Sequence, residues 1–597
     1  MPMGIGPGLS VTRGGSVTGI GAIGADLALW FDENQAYKSS GGGIVTPDSI
    51  LTYAAPSPKM VYGSDGVLRY APHNFLLQSQ TFNTTWGDTI GGTGVTPVVT
   101  ADAGSDPTGS ATADRIQFSL GGGTVSADIS RRRQNYTAAA SPHTFSVYLR
   151  SYDGSSTYNM HLTDASGATR NIVVTGSWQR FEVTATAAGS SVTYAIGLRG
   201  GQAPANSDTA DVLAWGAQLN RGSSALTYVP TTSAAVYSLP RDYNPTTLAA
   251  LGVLVEEART NLLTYSEQFD NAAWVPSNVT VTAPTAIVAP DGTTTADLLT
   301  AAAGTSVNLQ QSATVAATSA TYSVYAKKNS GAAQANNFRV RNTTTATTLV
   351  EITIDYDTGT IAYVTGSTGA SAVSVGNGWW RIVLTATSGI TSGDTIRCDQ
   401  CFTGITTIGY SAYIWGAQLE AGAFATSYIP TVASQVTRAA DQISILTSAF
   451  PYSQTEGTLF TISSTVVYND GGAAYRAQTA LRNAGNTNFS ARIRLQQPTT
   501  TTMQPNGLII NTTTQADLLP TAVALTEMRA AMAYKVNDAA MVVNGGAASI
   551  DVICTIPSDI SSMDMLGGPF NNGATHIKRL AYYASRKDNS TLQVLST

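Results

Sequence analysis

Short runs in which polar and apolar residues alternate, separated by turn residues, occupy most of the chain. In residues 144–149, for example, Thr, Ser and Tyr alternate with Phe, Val and Leu. A period of two over runs of this length, bounded by Gly, Asn, Asp and Ser, is typical of antiparallel strands with one buried face. Neither residues 71–238 nor residues 257–436 contain a convincing stripe with a 3.6-residue period, whereas residues 248–257 fit either a short helix or a strand. The pattern therefore predicts an all-β protein built from sandwiches.

One pentapeptide occurs twice, as Trp215-Gly216-Ala217-Gln218-Leu219 and again with Trp415 at its start, each time followed at the same distance by Tyr and Pro. Other landmarks recur in the same order: Trp86 with Trp274, Asp114 with Asp297, Tyr148 with Tyr325, and Trp178 with Trp379. The chain thus contains a duplicated domain, module 1 (residues 71–238) and module 2 (residues 257–436), each of jelly-roll length. Alternation predicts Trp215, Ala217 and Leu219 on one buried face.

The remaining residues form three further regions. Residues 1–70 begin with a glycine-rich stretch, which we expect to dock on another subunit as an attachment segment. Residues 239–256 read as a linker rich in turn residues. From Glu456 the pattern changes to strands joined by turns such as Asn544-Gly545, so residues 437–597 are predicted to be a separate region rich in strands.

Composition and charge narrow the class of protein. At 597 residues the chain is too long for one hydrophobic core. The net charge is -6 and Arg131-Arg132-Arg133 stands alone as a basic run, which argues against a nucleic-acid partner. No apolar segment approaches the ~20 residues that span a bilayer, so we expect no membrane insertion. The N-terminus lacks the pattern of a signal peptide, and release by lysis would fit.

Several segments of the sequence resemble a family of bacteriophage structural proteins. Residues 257–263 (Glu-Ala-Arg-Thr-Asn-Leu-Leu), residues 375–381 (Val-Gly-Asn-Gly-Trp-Trp-Arg) and the repeated pentapeptide look like the repeated module of phage head-spike and tail-fibre proteins, a module related to carbohydrate-binding jelly rolls. Residues 437–597 resemble a concanavalin A or laminin G type sandwich through residues 533–538 and 577–583.

The resemblance implies a fold and a function. The fold would be two tandem jelly-roll β-sandwiches followed by a concanavalin A-like β-sandwich. The function would be adhesion, in which a virion protein, assembled in the host cytoplasm, binds polysaccharide on the host surface. Residues 1–70 would then contact other virion proteins, and the protein would be a homo-oligomer, since such fibres are commonly trimers.

Candidate sugar-binding residues follow from the chemistry of sugars, whose apolar faces stack on aromatic rings while amides and carboxylates bind hydroxyl groups. Tryptophans kept in both modules are better explained as core. The unpaired Trp380 and a polar, aromatic hairpin containing Tyr152, Tyr158 and His161 are the better candidates for glycan binding.

Module 2 also contains candidate ligands for calcium. Glu267, Asp270 and Glu420 stand where module 1 has only amides, at Gln80, Asn83 and Asn220. Carboxylate oxygens are the ligands that Ca²⁺ prefers. We expect no other cofactor.

Catalytic groups are sparse, so we expect that the chain is not an enzyme. Glu256 and Glu257 are adjacent and would face opposite ways on a strand, and the four histidines are scattered. Two alternatives to a receptor-binding fibre stay open. One is a purely architectural head fibre or capsid decoration protein, and the other is a capsule-degrading glycosidase.

Overall fold

The structure is a computed structural model that describes residues 3–4, 10–11, 27–32, 36–38, 43–54, 57–302, 307–330, 336–401, 410–467, 476–483, 489–496, 502–511, 513–521, 523–524, 527–565 and 573–597. Strands account for about 54% of the protein and helices for about 3%, which confirms the predicted all-β, multidomain fold. The chain divides into two compact units. One is Arg69–Ser238, and the other combines Met1–Leu68 with Leu239–Thr597.

The strands before module 1 are short. They are β1 (Met3–Gly4), β2 (Ser10–Val11), β3 (Leu27–Asp32), β4 (Ala36–Lys38), β5 (Gly43–Val45), β6 (Thr52–Ala54), β7 (Met60–Tyr62) and β8 (Leu68–Tyr70). A single 3₁₀ turn, Pro47–Ser49, precedes β6. The glycine-rich start of the predicted attachment segment, residues 1–25, lies outside the described residues except for β1 and β2.

Module 1 is a sandwich of two five-stranded antiparallel sheets. Its strands are β9 (His73–Asn74), β10 (Gly87–Gly91), β11 (Val95–Gly104), β12 (Ala113–Ser119), β13 (Ile129–Thr137), β14 (Pro142–Ser151), β15 (Tyr158–Thr163), β16 (Thr169–Val174), β17 (Gln179–Thr186), β18 (Ser191–Arg199), β19 (Thr209–Arg221) and β20 (Val236–Tyr237). One sheet has the order β10-β13-β18-β15-β16 and the other β11-β12-β19-β14-β17. Buried aromatic and aliphatic side chains, Trp86 and Phe145 among them, fill the space between the sheets.

Module 2 repeats this arrangement with six strands in each sheet. Two linker strands come first, β21 (Arg241–Tyr243) and β22 (Ala250–Glu256). The module contains β23 (Arg259–Asn261), β24 (Val275–Ser277), β25 (Val279–Thr282), β26 (Asp297–Ala301), β27 (Asn308–Val315), β28 (Ala320–Ser330), β29 (Asn336–Asn342), β30 (Thr347–Ile354), β31 (Ile361–Thr365), β32 (Ala370–Ser374), β33 (Trp379–Ala386), β34 (Asp394–Cys401), β35 (Ser411–Ala421) and β36 (Val436–Arg438). The sheet orders are β24-β27-β34-β29-β30-β31 and β25-β26-β35-β28-β33-β32.

The C-terminal sandwich uses strands from three parts of the chain. Its own elements are β37 (Gln442–Leu446), a 3₁₀ turn (Thr447–Ala449), β38 (Glu456–Val467), β39 (Arg476–Asn483), β40 (Phe489–Gln496), β41 (Thr502–Asn511), β42 (Thr513–Leu518), β43 (Val523–Ala524), β44 (Glu527–Lys535), β45 (Asp538–Val543), β46 (Ser549–Asp551), β47 (Ile560–Met565), β48 (Ala574–Tyr583) and helix α1 (Asn589–Leu595). One sheet contains β3, β4, β5, β21 and β22 beside the later strands, and the other contains β6 next to β37.

Strands from the predicted attachment segment (residues 1–70) and from the predicted linker (residues 239–256) therefore lie in the sheets of this sandwich. β48 pairs with β3 on one part of its length and with β22 on another. These additions satisfy backbone groups of β48 that would otherwise form an open edge. Phe31 and Val253 consequently lie in the same hydrophobic core as Leu580. Within the part of the chain described, no helix has the length and apolar character needed to cross a membrane.

A bulge at the repeated pentapeptide reverses the predicted face of its tryptophan. In β14 and β19, Ser146 pairs with Gln218 but Tyr148 pairs with Trp215, so β19 has one extra residue. Gly216 provides it, in the left-handed region at φ 64°. Ala217 packs in the sandwich core while Trp215 packs with Tyr148 on the outer face. The prediction that Trp215 and Ala217 share one face is therefore wrong, because alternation is interrupted at the bulge.

Candidate functional site

A tyrosine and an arginine stack on the outer face of the second sheet of module 1. The Cζ atom of Arg115, on β12, lies 4.0 Å from the ring centroid of Tyr152, which follows β14. Asp211, on β19, holds the guanidinium through two hydrogen bonds, Nε to Oδ1 at 2.8 Å and Nη2 to Oδ2 at 2.6 Å. Such a fork fixes the plane of the guanidinium, which in turn supports the ring of Tyr152. Tyr152 remains 39% exposed although Arg115 lies against its ring.

A second aromatic and arginine pair lies on the same face. Arg150 shares a register row with Arg115, since both residues pair with Leu213 of β19. Its Cζ atom lies 5.7 Å from the ring centroid of Trp178, whose indole N–H donates to the Ser105 carbonyl oxygen at 3.2 Å. Trp178 is half-buried. We call this surface the open face, and its residues are Arg115, Gln117, Arg150, Tyr152, Trp178 and Asp211.

A cleft of about 380 Å³ adjoins the open face. Gln117 and Asp211 belong to both, and the predicted residue Tyr158 lines the cleft from β15. A volume of this size lies in the range of small-ligand sites. The structure thus brings two of the predicted glycan-binding residues, Tyr152 and Tyr158, to neighbouring parts of one surface.

His161, the third residue of the predicted hairpin cluster, lies away from this surface. It is fully buried, and its Nδ1 atom is 3.0 Å from Asn206 Oδ1. Burial, together with the positive charge of Arg131, lowers the pKa of His161 to about 3. The imidazole is therefore neutral at ordinary pH and packed beneath the segment that contains Asn206.

The open face belongs to module 1 alone. Register fixes the matched positions, because Gln117 pairs with Asp211 as Thr300 pairs with Ser411. The residues of module 2 at the six positions are Leu298, Thr300, Lys327, Asn329, Trp379 and Ser411. There, Asn329 Nδ2 donates to Ser411 Oγ at 2.8 Å, so these two side chains bind each other. Only Trp379 repeats a side chain of the open face.

The aromatic part of the corresponding face in module 2 is covered. The Tyr62 hydroxyl lies 3.5 Å from that of Tyr325, and Tyr325 is 1% exposed. Trp379 is also 1% exposed, whereas its counterpart Trp178 is half-buried. Trp178 and Trp379 thus both face away from the sandwich cores. The outer surface is covered at Trp379 in module 2 and is partly exposed at Trp178 in module 1.

Trp380 differs from the exposed aromatic residue that the sequence suggested. It pairs with Ala326, which faces the core, and it packs against that core while remaining half-buried. Its indole N–H donates to the Tyr356 carbonyl oxygen at 2.9 Å. Gly359 lies against the ring, where a Cβ atom would come within 2.2 Å. The ring therefore has a partner on the side of Gly359.

Two of the three carboxylates suggested for calcium are bound to separate partners. Glu420 is fully buried and accepts hydrogen bonds from the backbone N–H and the hydroxyl of Thr426. Glu267 accepts from the Tyr428 hydroxyl at 3.1 Å, and Asp270 is exposed. Among the residues that the structure describes, no group of three or more His, Cys, Asp or Glu side chains is arranged to hold a metal ion. The residues present therefore do not fit a calcium site.

Sequence reasoning missed Arg115, Arg150 and Asp211. Ninety-six positions separate Arg115 from Asp211, so only the strand pairing brings them together. A comparison of the two modules residue by residue would have marked Arg115 and Asp211 as charged positions where module 2 has Leu298 and Ser411.

Comparison with known proteins gives structural likenesses only. No family model matches the chain, and no curated protein does. The N-terminal CBM22-1-CBM22-2 tandem domain of Paenibacillus barcinonensis Xyn10C is similar at 14% identity, covering 62% of this chain and 98% of that one, with a TM-score of 0.21. The tail fiber protein gp63.1 from an E. coli phage is similar at 7% identity, with coverages of 56% and 41% and a TM-score of 0.17.

Trypanosoma rangeli sialidase is also among the similar structures, at 9% identity, with coverages of 95% and 97% and a TM-score of 0.21. Sialidases are glycosidases, so this finding corrects the expectation that the chain is not an enzyme. That expectation is withdrawn.

Proposed function

We propose that this chain is a phage fibre or spike protein that binds polysaccharide on the host surface through the open face of module 1. The phage assignment is supported by the motifs at residues 257–263 and 375–381. The binding assignment is supported by the residues of the open face and by the adjoining cleft. Its partners would be the host polysaccharide and, through the N-terminal segment, other virion proteins.

The single observation that carries the proposal is the pairing of Arg115 with Tyr152 in module 1 alone. An exposed aromatic ring is usually free to change rotamer, but here Arg115 supports the ring. A ring already held in place loses less entropy when a sugar stacks on it. Gln117 and Asp211 lie close enough in the sheet to bind the hydroxyl groups of the same sugar.

Weak binding at one site would be strengthened by repetition. Several copies of module 1 in a homo-oligomer would meet a polysaccharide that itself repeats. Linking such sites raises avidity by roughly 10² to 10⁴ without any new contact. Adhesion would then require only modest affinity from each open face.

The test is binding of the purified full-length chain to an array of bacterial surface polysaccharides. Tyr152→Ala and Trp178→Ala should each weaken binding about tenfold or more, since each removes a stacking surface worth roughly 1 to 2 kcal/mol. Asn329→Ala, at the position of module 2 that matches Tyr152, is the control and should bind as wild type. Release of reducing ends is measured on the same polysaccharides and would reveal a glycosidase.

Two outcomes would contradict the proposal. Failure to bind the polysaccharide of the host strain would remove adhesion as the function. Unchanged binding by both aromatic variants would remove the open face as the site. Labelling residue 597 and imaging the virion separates the architectural alternative, because a capsid or vertex position favours a decoration protein and a tail tip favours receptor binding.

A further inference from the structure

The two arginines of the open face differ in how their charge is balanced. Arg115 is neutralised by Asp211 through both of its hydrogen bonds. Arg150 forms no ion pair with any described residue, and its Nε atom is buried without a hydrogen-bond partner. The open face thus contains two cations and one anion.

The nearest carboxylate in the sequence does not balance Arg150. Asp153 accepts hydrogen bonds from the backbone N–H groups of Ser155 and Ser156, and its pKa is lowered by the side chain and backbone of Ser156. It therefore serves as the cap of its own turn. Arg150 therefore keeps an uncompensated positive charge beside the ring of Trp178.

We propose that the open face selects sugars that carry a carboxylate, and that Arg150 binds that carboxylate. This inference rests on the proposed function and specifies the class of glycan. A guanidinium donates two parallel hydrogen bonds that match the two oxygens of a carboxylate, and the indole of Trp178 offers a flat surface to the ring of the same sugar.

Spacing within the sheet supports a chain of sugars as the ligand. Arg115 and Arg150 flank Leu213 in one row, two strands apart, which is roughly 10 Å. A sugar over Trp178 would present its carboxylate to Arg150, and the next along the chain would reach Tyr152. Module 2 has no such arrangement, since Lys327 stands at the position of Arg150 beside the buried Trp379.

The experiment uses the full-length chain and a glycan array in which each uronate-containing oligosaccharide is printed beside its carboxyl-reduced form. The wild type should prefer the carboxylate form by about tenfold or more, as expected for a charge-assisted pair of hydrogen bonds. Arg150→Gln should abolish that preference while still binding the reduced form. Lys327→Gln is the matched control and should keep the preference. Asp211→Asn removes the negative charge that balances Arg115 and should increase the preference.

Each result has a distinct meaning. Equal binding to both forms by the wild type overturns the carboxylate inference and leaves the proposed function intact. A preference that survives Arg150→Gln overturns the role of Arg150. Absence of binding to every glycan on the array contradicts the proposed function and the inference together. Thermal unfolding is measured for every variant, and an unchanged unfolding transition shows that a loss of binding does not come from a loss of folded protein.

Discussion

A single buried asparagine joins the opening and closing segments of each module. In module 2, Asn261 Nδ2 donates to the carbonyl oxygens of Ala417 at 3.1 Å and Ile429 at 2.9 Å. Its Oδ1 atom accepts one hydrogen bond from its own segment and one from Leu419 N at 3.2 Å. Asn74 makes the corresponding four bonds in module 1. This amide explains why an asparagine stands at the start of both repeats.

Asn261→Asp should destabilise the protein because it keeps the shape and the acceptor but loses both donors. The Ala417 and Ile429 carbonyl groups would be left buried and unpaired, at about 1 to 3 kcal/mol each. Asn271→Asp is the control, since the Asn271 side chain accepts from Ala273 N and needs no donor there. The free energy of unfolding, measured by thermal unfolding of the full chain, should fall for the first variant and stay within about 0.5 kcal/mol of the wild type for the second. Equal shifts would contradict the role of the donors.

At the scale of the strand, one glycine decides which surface the repeated tryptophan faces. Gly216 lies at φ 64°, and a Cβ atom there would come within 3.1 Å of the Tyr148 ring. Gly416 is in the same situation in module 2, at φ 63° and 2.9 Å from Tyr325. The bulge therefore requires glycine for two reasons, backbone conformation and space.

Gly216→Ala should cost more stability than Gly109→Ala in the same module. Both glycines have positive φ, so both substitutions incur roughly 1 to 2 kcal/mol of backbone strain. Gly109 has open space around its missing Cβ, whereas Gly216 faces Tyr148 and would force that ring to move. Denaturant unfolding should place Gly216→Ala about 1 kcal/mol or more below Gly109→Ala. Similar values for the two variants would show that the ring adjusts freely.

The strands and the two similar sandwiches were largely predictable from the sequence. The side chains that meet on the outer faces of the sheets were less predictable. Alternation predicted strands, and the repeat predicted two similar sandwiches, because both are local or periodic properties. The outer position of Trp215 was not predictable from alternation, since a bulge adds one residue to the strand and leaves no mark in the pattern of polar and apolar residues. On the open face, Tyr152 was predicted from its aromatic hairpin, but Arg115 and Asp211 become neighbours only through pairing of β12 with β19.

At the scale of the unit formed by Met1–Leu68 and Leu239–Thr597, buried charges join segments that are remote in sequence. Lys59 Nζ lies 3.2 Å from Glu256 Oε2, and it also binds Asp441. Arg438 Nη2 lies 3.5 Å from the same Glu256 oxygen. Asp441 in turn accepts from the Tyr53 hydroxyl at 2.7 Å. The cluster thus ties the N-terminal strands to β22 and to the start of β37.

Such a cluster is invisible to local sequence patterns. Lys59 and Asp441 are 382 positions apart, and neither lies in a motif. Removing one member of a buried ion pair leaves an uncompensated charge, which commonly costs about 3 to 5 kcal/mol. The register of β6 beside β37 therefore depends on charges as well as on apolar packing.

Acid should weaken this unit through Glu256. Burial by itself raises the pKa of Glu256, but Arg438, Lys59 and the hydrogen bonds from Ser427 outweigh burial and lower the pKa from its ordinary value of 4.5 to about 2. Because the folded pKa lies below the unfolded pKa, the stabilisation is fully present above pH 4.5 and is lost as the pH falls towards 2. The difference corresponds to on the order of 3 kcal/mol.

Glu256→Gln isolates this effect. Thermal unfolding of the full chain is measured for the variant and the wild type at several pH values from about 7 to about 2. The variant should be less stable near neutral pH and should lose less stability between pH 4.5 and 2 than the wild type. Glu527→Gln is the control, since Glu527 also contacts two cations, Lys578 and Arg529, but its side chain is 37% exposed. Exposed ion pairs contribute about 0 to 1 kcal/mol, so its curve should follow that of the wild type. Parallel pH profiles for wild type and Glu256→Gln would mean that other carboxylates carry the acid sensitivity, and that the cluster holds its strands by shape alone.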